Sequence, residues 1–171
     1  MEHTVGYGLG LMAGILAGVG IVALLLRLRV LDQTFDERQE LARGRAYRYG
    51  FWTLAADLAA YGLSELALGR WCDALAGGML CLAPALTVFA VACIRSDAYL
   101  SLRERPKQIL TVLALVAALN LVIGTVNLLE GRVVTGGVLR LEAVNLICAI
   151  MCLIVLGVLV HALRTRREED A

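Results

Sequence analysis

Apolar residues in this chain gather into long unbroken runs; they do not alternate or recur on one face. Four runs carry no Asp, Glu, Lys or Arg: 5–26, 74–94, 109–129 and 143–163. At roughly 21 residues each and ~1.5 Å of rise per residue, every one is long enough to cross a hydrocarbon core ~30 Å thick. A fifth run, 50–68, is of similar length but contains Asp57 and Glu65. The pattern predicts an all-α integral membrane protein, a bundle of five transmembrane helices in one membrane domain spanning residues 1–171. The connections are too short to hold a soluble core of their own. Composition agrees: 60% of residues are hydrophobic and the mean hydropathy is +0.76, above the ~45–50% apolar usage of soluble domains.

Basic residues then orient the bundle. With five spans, thirteen of the sixteen Lys and Arg fall on one side: six between the first two runs, four between the third and fourth, three in the tail. Only Arg70, Arg132 and Arg140 fall on the other. Basic residues favour the cytoplasmic side, so the N-terminus is expected outside and the C-terminus inside. If 50–68 stayed on the surface, the asymmetry would shrink to nine against seven. The first run has no basic residues before it and arginines after it, the arrangement of an N-out signal anchor and not of a cleavable leader. Five cysteines, four of them inside spans, imply no disulfide framework.

Local signals add detail. Gly6, Gly10, Gly14 and Gly18 recur every fourth residue, a stripe that lets another helix approach closely. It would serve a homo-oligomer or a membrane-protein partner, or simply packing within one protomer. Thr34 and Glu37 have the spacing of a capping box, predicting a cytoplasmic helix over about 34–48 with acids early and bases late, as the helix dipole favours. Gln39, Glu40 and Arg43 are spaced for local side-chain pairs, and Gly44 or Gly50 is a place for the helix to bend. Arg38, Arg43, Arg45 and Arg48 on that helix suit either anionic lipid headgroups or a cytoplasmic protein partner. Tyr47, Tyr49, Phe51 and Trp52 then fall at the inner interface. Pro84 is expected to kink its span, and the glycines between residues 130 and 142 allow a small hairpin.

The candidate chemistry lies in 50–68. Thr53, Asp57, Tyr61 and Glu65 step by four and share one face. A face of that kind does not point at lipid cheaply, so it is expected to turn inward. Asn120 and Asn127, seven residues apart on one face, and Asn145 fall at matching depths in other spans. The expectation is a polar cluster of Asp57, Tyr61, Glu65, Asn120, Asn127 and Asn145, open to the outside. An acid held away from water suits exchange of a proton or pairing with a cation; the plainer alternative is interhelical hydrogen bonding. Cys148 and Cys152 lie one turn apart but read as small core residues, and His161 reads as interfacial.

Around residues 36–51 the segment Asp36-Glu37-Arg38-Gln39, then Arg43-Gly44-Arg45-Ala46-Tyr47-Arg48-Tyr49 and Phe51, resembles a group of small uncharacterised bacterial membrane proteins. These share a DERQ…RG-[KR]-AY-[KR]-Y segment leading into an apolar helix. The resemblance covers about 16 residues. It implies a bacterial cytoplasmic membrane location and brings no catalytic or binding residues with it.

No HExxH, phosphate-binding lysine loop, nucleophile elbow or CxxC pair is present, so nothing argues for an enzyme. Nothing calls for a metal, a cofactor or a nucleic acid either. The leading expectation is a non-enzymatic accessory, sensor or interaction component of the membrane. A proton- or cation-coupled carrier built on Asp57 is the alternative, and a lipid-acting enzyme comes third.

Overall fold

A computed structural model describes residues 35–101 and 106–169. The run at 5–26, Thr34 and the glycine stripe of Gly6, Gly10, Gly14 and Gly18 lie outside the described residues. Four α-helices account for most of the rest: α1 (Glu37–Leu68), α2 (Ala74–Arg95), α3 (Pro106–Leu129) and α4 (Val144–Glu169). Between α3 and α4 lie two short antiparallel strands, β1 (Val134–Thr135) and β2 (Val138–Leu139), then a single 3-10 turn over Leu141–Ala143. Among the described residues, α2, α3 and the stretch Leu141–Arg166 are long and apolar enough to cross a membrane. The fold is that of an all-α protein with membrane-length helices.

α1 begins at a capping box, but on Asp36 and not Thr34. The Asp36 carboxylate accepts from the Gln39 N–H at 2.6 Å, and Gln39 Oε1 accepts from the Asp36 N–H at 3.2 Å. Asp at N-cap with Gln at N3 satisfies two of the amides that a helix start leaves open. The helix runs through Gly44 and Gly50 without interruption and ends at Gly69, whose φ of 76° suits glycine. Its 32 residues give a length of ~48 Å, more than a ~30 Å hydrocarbon core. α2 likewise continues through Pro84; proline leaves the carbonyl four residues earlier without its amide. The Thr87 hydroxyl donates to the Ala83 carbonyl at 2.7 Å alongside.

The helices pack in a row, α1 on α2, α2 on α4 and α4 on α3. Small residues line the α1–α2 contact, while Ile94 of α2 is buried with Val155 and Leu159 of α4. The buried residues of α1 are Ala42, Ala46 and Gly50, spaced by four on one face. A Cβ at Gly50 would sit 3.2 Å from the Ala85 carbonyl oxygen and 3.3 Å from Phe89 Cβ. One at Gly124 on α3 would meet the Leu146 side chain at 2.7 Å and its backbone nitrogen at 3.0 Å. The largest fully buried side chains are Cys72 and Cys93. Many big apolar residues point outward: Leu115, Leu119 and Val122 on α3 are each more than 60% exposed. Large residues outside and small ones within is the packing logic of helices in lipid, where close backbone approach holds the bundle.

Two ends result. At one, α1 and α3 start while α2 and α4 finish; here lie Arg38, Arg43, Arg45, Arg48, Arg95, Lys107, Arg164 and Arg166. At the other, Gly136 and Gly137 turn the hairpin with φ of 62° and 79°, the positive values that a two-residue hairpin turn demands. The hairpin pairs with the α1–α2 connection. The Leu139 N–H donates to the Trp71 carbonyl and the Asp73 N–H to the Leu139 carbonyl, both at 2.8 Å.

Gly124→Ala is expected to destabilise the protein by ~1–3 kcal/mol, the usual cost of overpacking. Gly78→Ala and Gly157→Ala, where a Cβ meets open space, are expected to be neutral or slightly stabilising. Denaturant unfolding in detergent measures all three. Equal effects would show that α3 and α4 are not held by this approach.

Candidate functional site

The polar face of α1 turns toward α2, and the contact between the two helices builds the site. Tyr61 lies over Gly77 so closely that a Cβ there would be 2.5 Å from the ring carbon Cζ and 2.6 Å from Oη. The Tyr61 hydroxyl donates to Glu65 Oε1 at 2.7 Å, one turn further along the same helix. Trp71 meets the Tyr61 ring edge-on, with centroids 5.7 Å apart, and its indole N–H donates to Ser64 Oγ at 2.8 Å. Ser64 in turn donates to the Tyr61 carbonyl at 2.7 Å. Glycine at position 77 thus makes room for a network that ties the end of α1 to the connection leading into α2. A cleft of about 470 Å³ opens beside it, lined in part by Leu58, Tyr61, Glu65 and Gly77.

Asp57 stands one turn further from the hairpin on the same face. Its Oδ2 is buried and has no hydrogen-bond partner among the described residues. A buried acceptor left unpaired costs roughly 1–3 kcal/mol. Thr53, next along the face, is satisfied by its own helix, donating to the Tyr49 carbonyl at 2.9 Å.

The asparagines do not join this group. Asn120 donates to the Val116 carbonyl of its own helix at 2.9 Å. Asn127 donates to the Glu142 carbonyl at 3.5 Å, tying α3 to the turn before α4. Asn145 is half-buried at the start of α4. α3 packs on α4, at the far end of the row from α1, so of the six expected residues three share a face of α1, while Asn120 and Asn127 make local bonds on α3. Among the described residues, no three His, Cys, Asp or Glu side chains come together as a metal site.

The arginine-rich end holds a second arrangement that spacing alone does not reveal. Gln39 and Arg43 do not pair within α1; they reach across to the connection after α2. The Gln39 amide donates to the Asp97 carbonyl at 2.7 Å, and an Arg43 guanidinium N–H to the Ala98 carbonyl at 3.2 Å. The Arg43 guanidinium also lies 4.1 Å from the Phe35 ring centroid and 5.8 Å from that of Phe89, and Tyr47 packs on Phe89 with centroids 4.5 Å apart. Arg166 of α4 forms an ion pair with Asp97, whose φ of 57° is positive, a conformation that Asp tolerates better than most residues. Arg38, Arg45 and Arg48 are exposed and form no ion pair among the described residues. One arginine of the cluster is therefore a bracket, and three are on display.

At the hairpin end, Asp73 receives Arg70 and Arg140, each at 3.5 Å. Such exposed pairs contribute ~0–1 kcal/mol; the backbone pairing does more to hold the hairpin. Cys72 is buried beside it, and its thiol is pushed above the ordinary range, first by that burial and then by the charges of Asp73 and Glu65.

Membrane-length apolar helices and many large apolar residues facing outward are those of a helical membrane protein. No protein family, curated protein or solved structure matches the chain.

The thiolate is the reactive form of cysteine, so raising the Cys72 pKa leaves less of it at neutral pH. Alkylation of Cys72, followed by peptide mass spectrometry in detergent, is expected to be slow at pH 7 and to climb as pH rises beyond the ordinary thiol range. Gly137→Val forces a branched residue into a positive φ and loosens the hairpin, so it is expected to speed alkylation several-fold. An unchanged rate would separate Cys72 burial from the hairpin.

Proposed function

We propose that this is a non-enzymatic interaction component of the bacterial cytoplasmic membrane, five-spanning with its N-terminus outside and C-terminus inside. It would present the first third of α1 to a cytoplasmic protein partner. Support for the second half of α1 as a span comes from its partner: residues 50–61 run antiparallel beside the membrane-length α2, with Gly50 against Ala85 and Tyr61 over Gly77. The concentration of Arg and Lys at one end supports the orientation. The observation that carries the interaction reading is the pinning of α1 at Gln39 and Arg43. A helix longer than the bilayer is held rigidly at its charged end, and Arg38, Arg45 and Arg48 project from it unspent. Preorganised side chains lose less entropy on binding.

A photocrosslinker placed at position 38 or 48 in cells is expected to capture one defined protein. Capture of lipid alone from both positions would count against a docking role.

The unpaired Oδ2 of Asp57 favours a second reading, a proton- or cation-binding site used in transport. On that reading, liposomes carrying the protein would show a proton or cation flux that Asp57→Asn abolishes. Equal, negligible flux in both would leave Asp57 as a structural feature of the α1–α2 contact.

A further inference from the structure

α2 packs on α1 along one side and on α4 along another, and between those contacts one stripe of its surface stays open. Leu80, Pro84, Val88, Val91 and Arg95 follow that stripe at three- and four-residue steps. Two grooves lie along it. A mostly apolar one of about 360 Å³ has Leu80, Pro84 and Val88 as its floor and Ile147, Ile150 and Ile154 of α4 as its wall. The other, of about 480 Å³, has Val91 and Ala92 as its floor, Tyr49 of α1 as its wall, and Arg95 and Ser96 at its mouth. Both include Thr87 and Val88, so they form one continuous trough, oily along most of its length and basic at one end. From Leu80 to Arg95 it runs 15 residues, ~22 Å, which exceeds the ~15 Å depth of one leaflet's hydrocarbon.

We propose that this trough binds an anionic phospholipid, with one acyl chain along Val88 and the isoleucines of α4 and the phosphate at Arg95, Ser96 and Tyr49. The chemistry at each level matches. Arg95 is exposed and has no ion pair among the described residues. Ser96 adds a hydroxyl beside it, and the Tyr49 ring is 58% exposed, an amphipathic group of the kind that settles at headgroup level. Below the polar mouth the lining is mostly hydrocarbon. A free phosphate would find the charge but leave the apolar length empty, and a protein helix would have to replace a chain that is already present at high concentration in the bilayer. The proposal needs α2 to lie in a membrane and is independent of any protein partner of α1.

Native mass spectrometry of the full-length protein, delipidated in detergent, tests it with three probes: phosphatidylglycerol, phosphatidylcholine and glycerol phosphate. The wild type is expected to retain phosphatidylglycerol about fivefold more than phosphatidylcholine, the ratio that one arginine near a surface supplies. Glycerol phosphate is expected not to bind. Arg95→Gln should erase the preference while leaving phosphatidylcholine retention as it was, and Val88→Trp should lower retention of both lipids by filling the trough. Circular dichroism checks that each variant keeps wild-type helicity. If Val88→Trp does not, Ile150→Trp blocks the far end in its place. Equal retention of the two lipids by the wild type would overturn the proposal. So would a preference that survives Arg95→Gln, or glycerol phosphate competing as well as intact lipid.

Discussion

Helices surrounded by hydrocarbon gain little from burying leucine, so they hold together only where their backbones can come close. The α1–α2 contact is the instance on which this structure depends. Ala42, Ala46 and Gly50 offer no side chain beyond a methyl, Gly50 comes close to Ala85 of α2, and Gly77 of α2 takes the Tyr61 ring. Every other arrangement follows from how near the two helices lie. Tyr61 can lie flat over position 77 only because glycine is there. Gln39 and Arg43 can reach the carbonyls of residues 97, 98 and 100 only because α1 is already seated. The same economy recurs at Gly124 against Leu146, and its consequence is visible on the outside, where the large apolar residues of α3 stand exposed.

Close approach also decides how the polar groups of α1 behave. Tyr61, Glu65 and Ser64 find partners within a turn or on Trp71, and so are removed from any demand on lipid. Asp57 lies where α1 and α2 are tight and has no donor within reach of Oδ2. The same contact that stabilises the bundle therefore also contains its one unmet polar demand among the described side-chain carboxylates. At the arginine-rich end the balance is reversed: there the backbone carbonyls left open after α2 are met by Gln39 and Arg43 from a neighbouring helix, and the remaining arginines face outward.

Much of this was legible along the chain. The runs at 74–94, 109–129 and 143–163 coincide with α2, α3 and the core of α4, because a backbone in lipid has to satisfy itself and a helix does so within one segment. The glycines between residues 130 and 142 allow a hairpin, and the turn falls on Gly136 and Gly137, both at positive φ. Spacing alone ranks Thr34/Glu37 with Asp36/Gln39, since threonine and aspartate are both good caps, and the helix takes Asp36, two residues later than Thr34. The polar cluster was assembled from depth, which counting residues does supply, without neighbourhood, which it does not. Asn120, Asn127 and Asn145 belong to the α3–α4 side of the row, away from α1.

Apolar run length and the placement of arginine along the chain therefore determined the class of protein, the helices that form and the end at which positive charge collects. These are properties of each segment against its solvent, and every segment carries them alone. Only the tertiary structure decided which helix lies beside which, that Gly77 serves Tyr61, that Arg43 is a bracket while Arg45 and Arg48 are displayed, and that one face of α2 is left open as a trough. Those depend on which small residues meet across an interface, and close approach in lipid is a relation between two surfaces that neither helix records by itself.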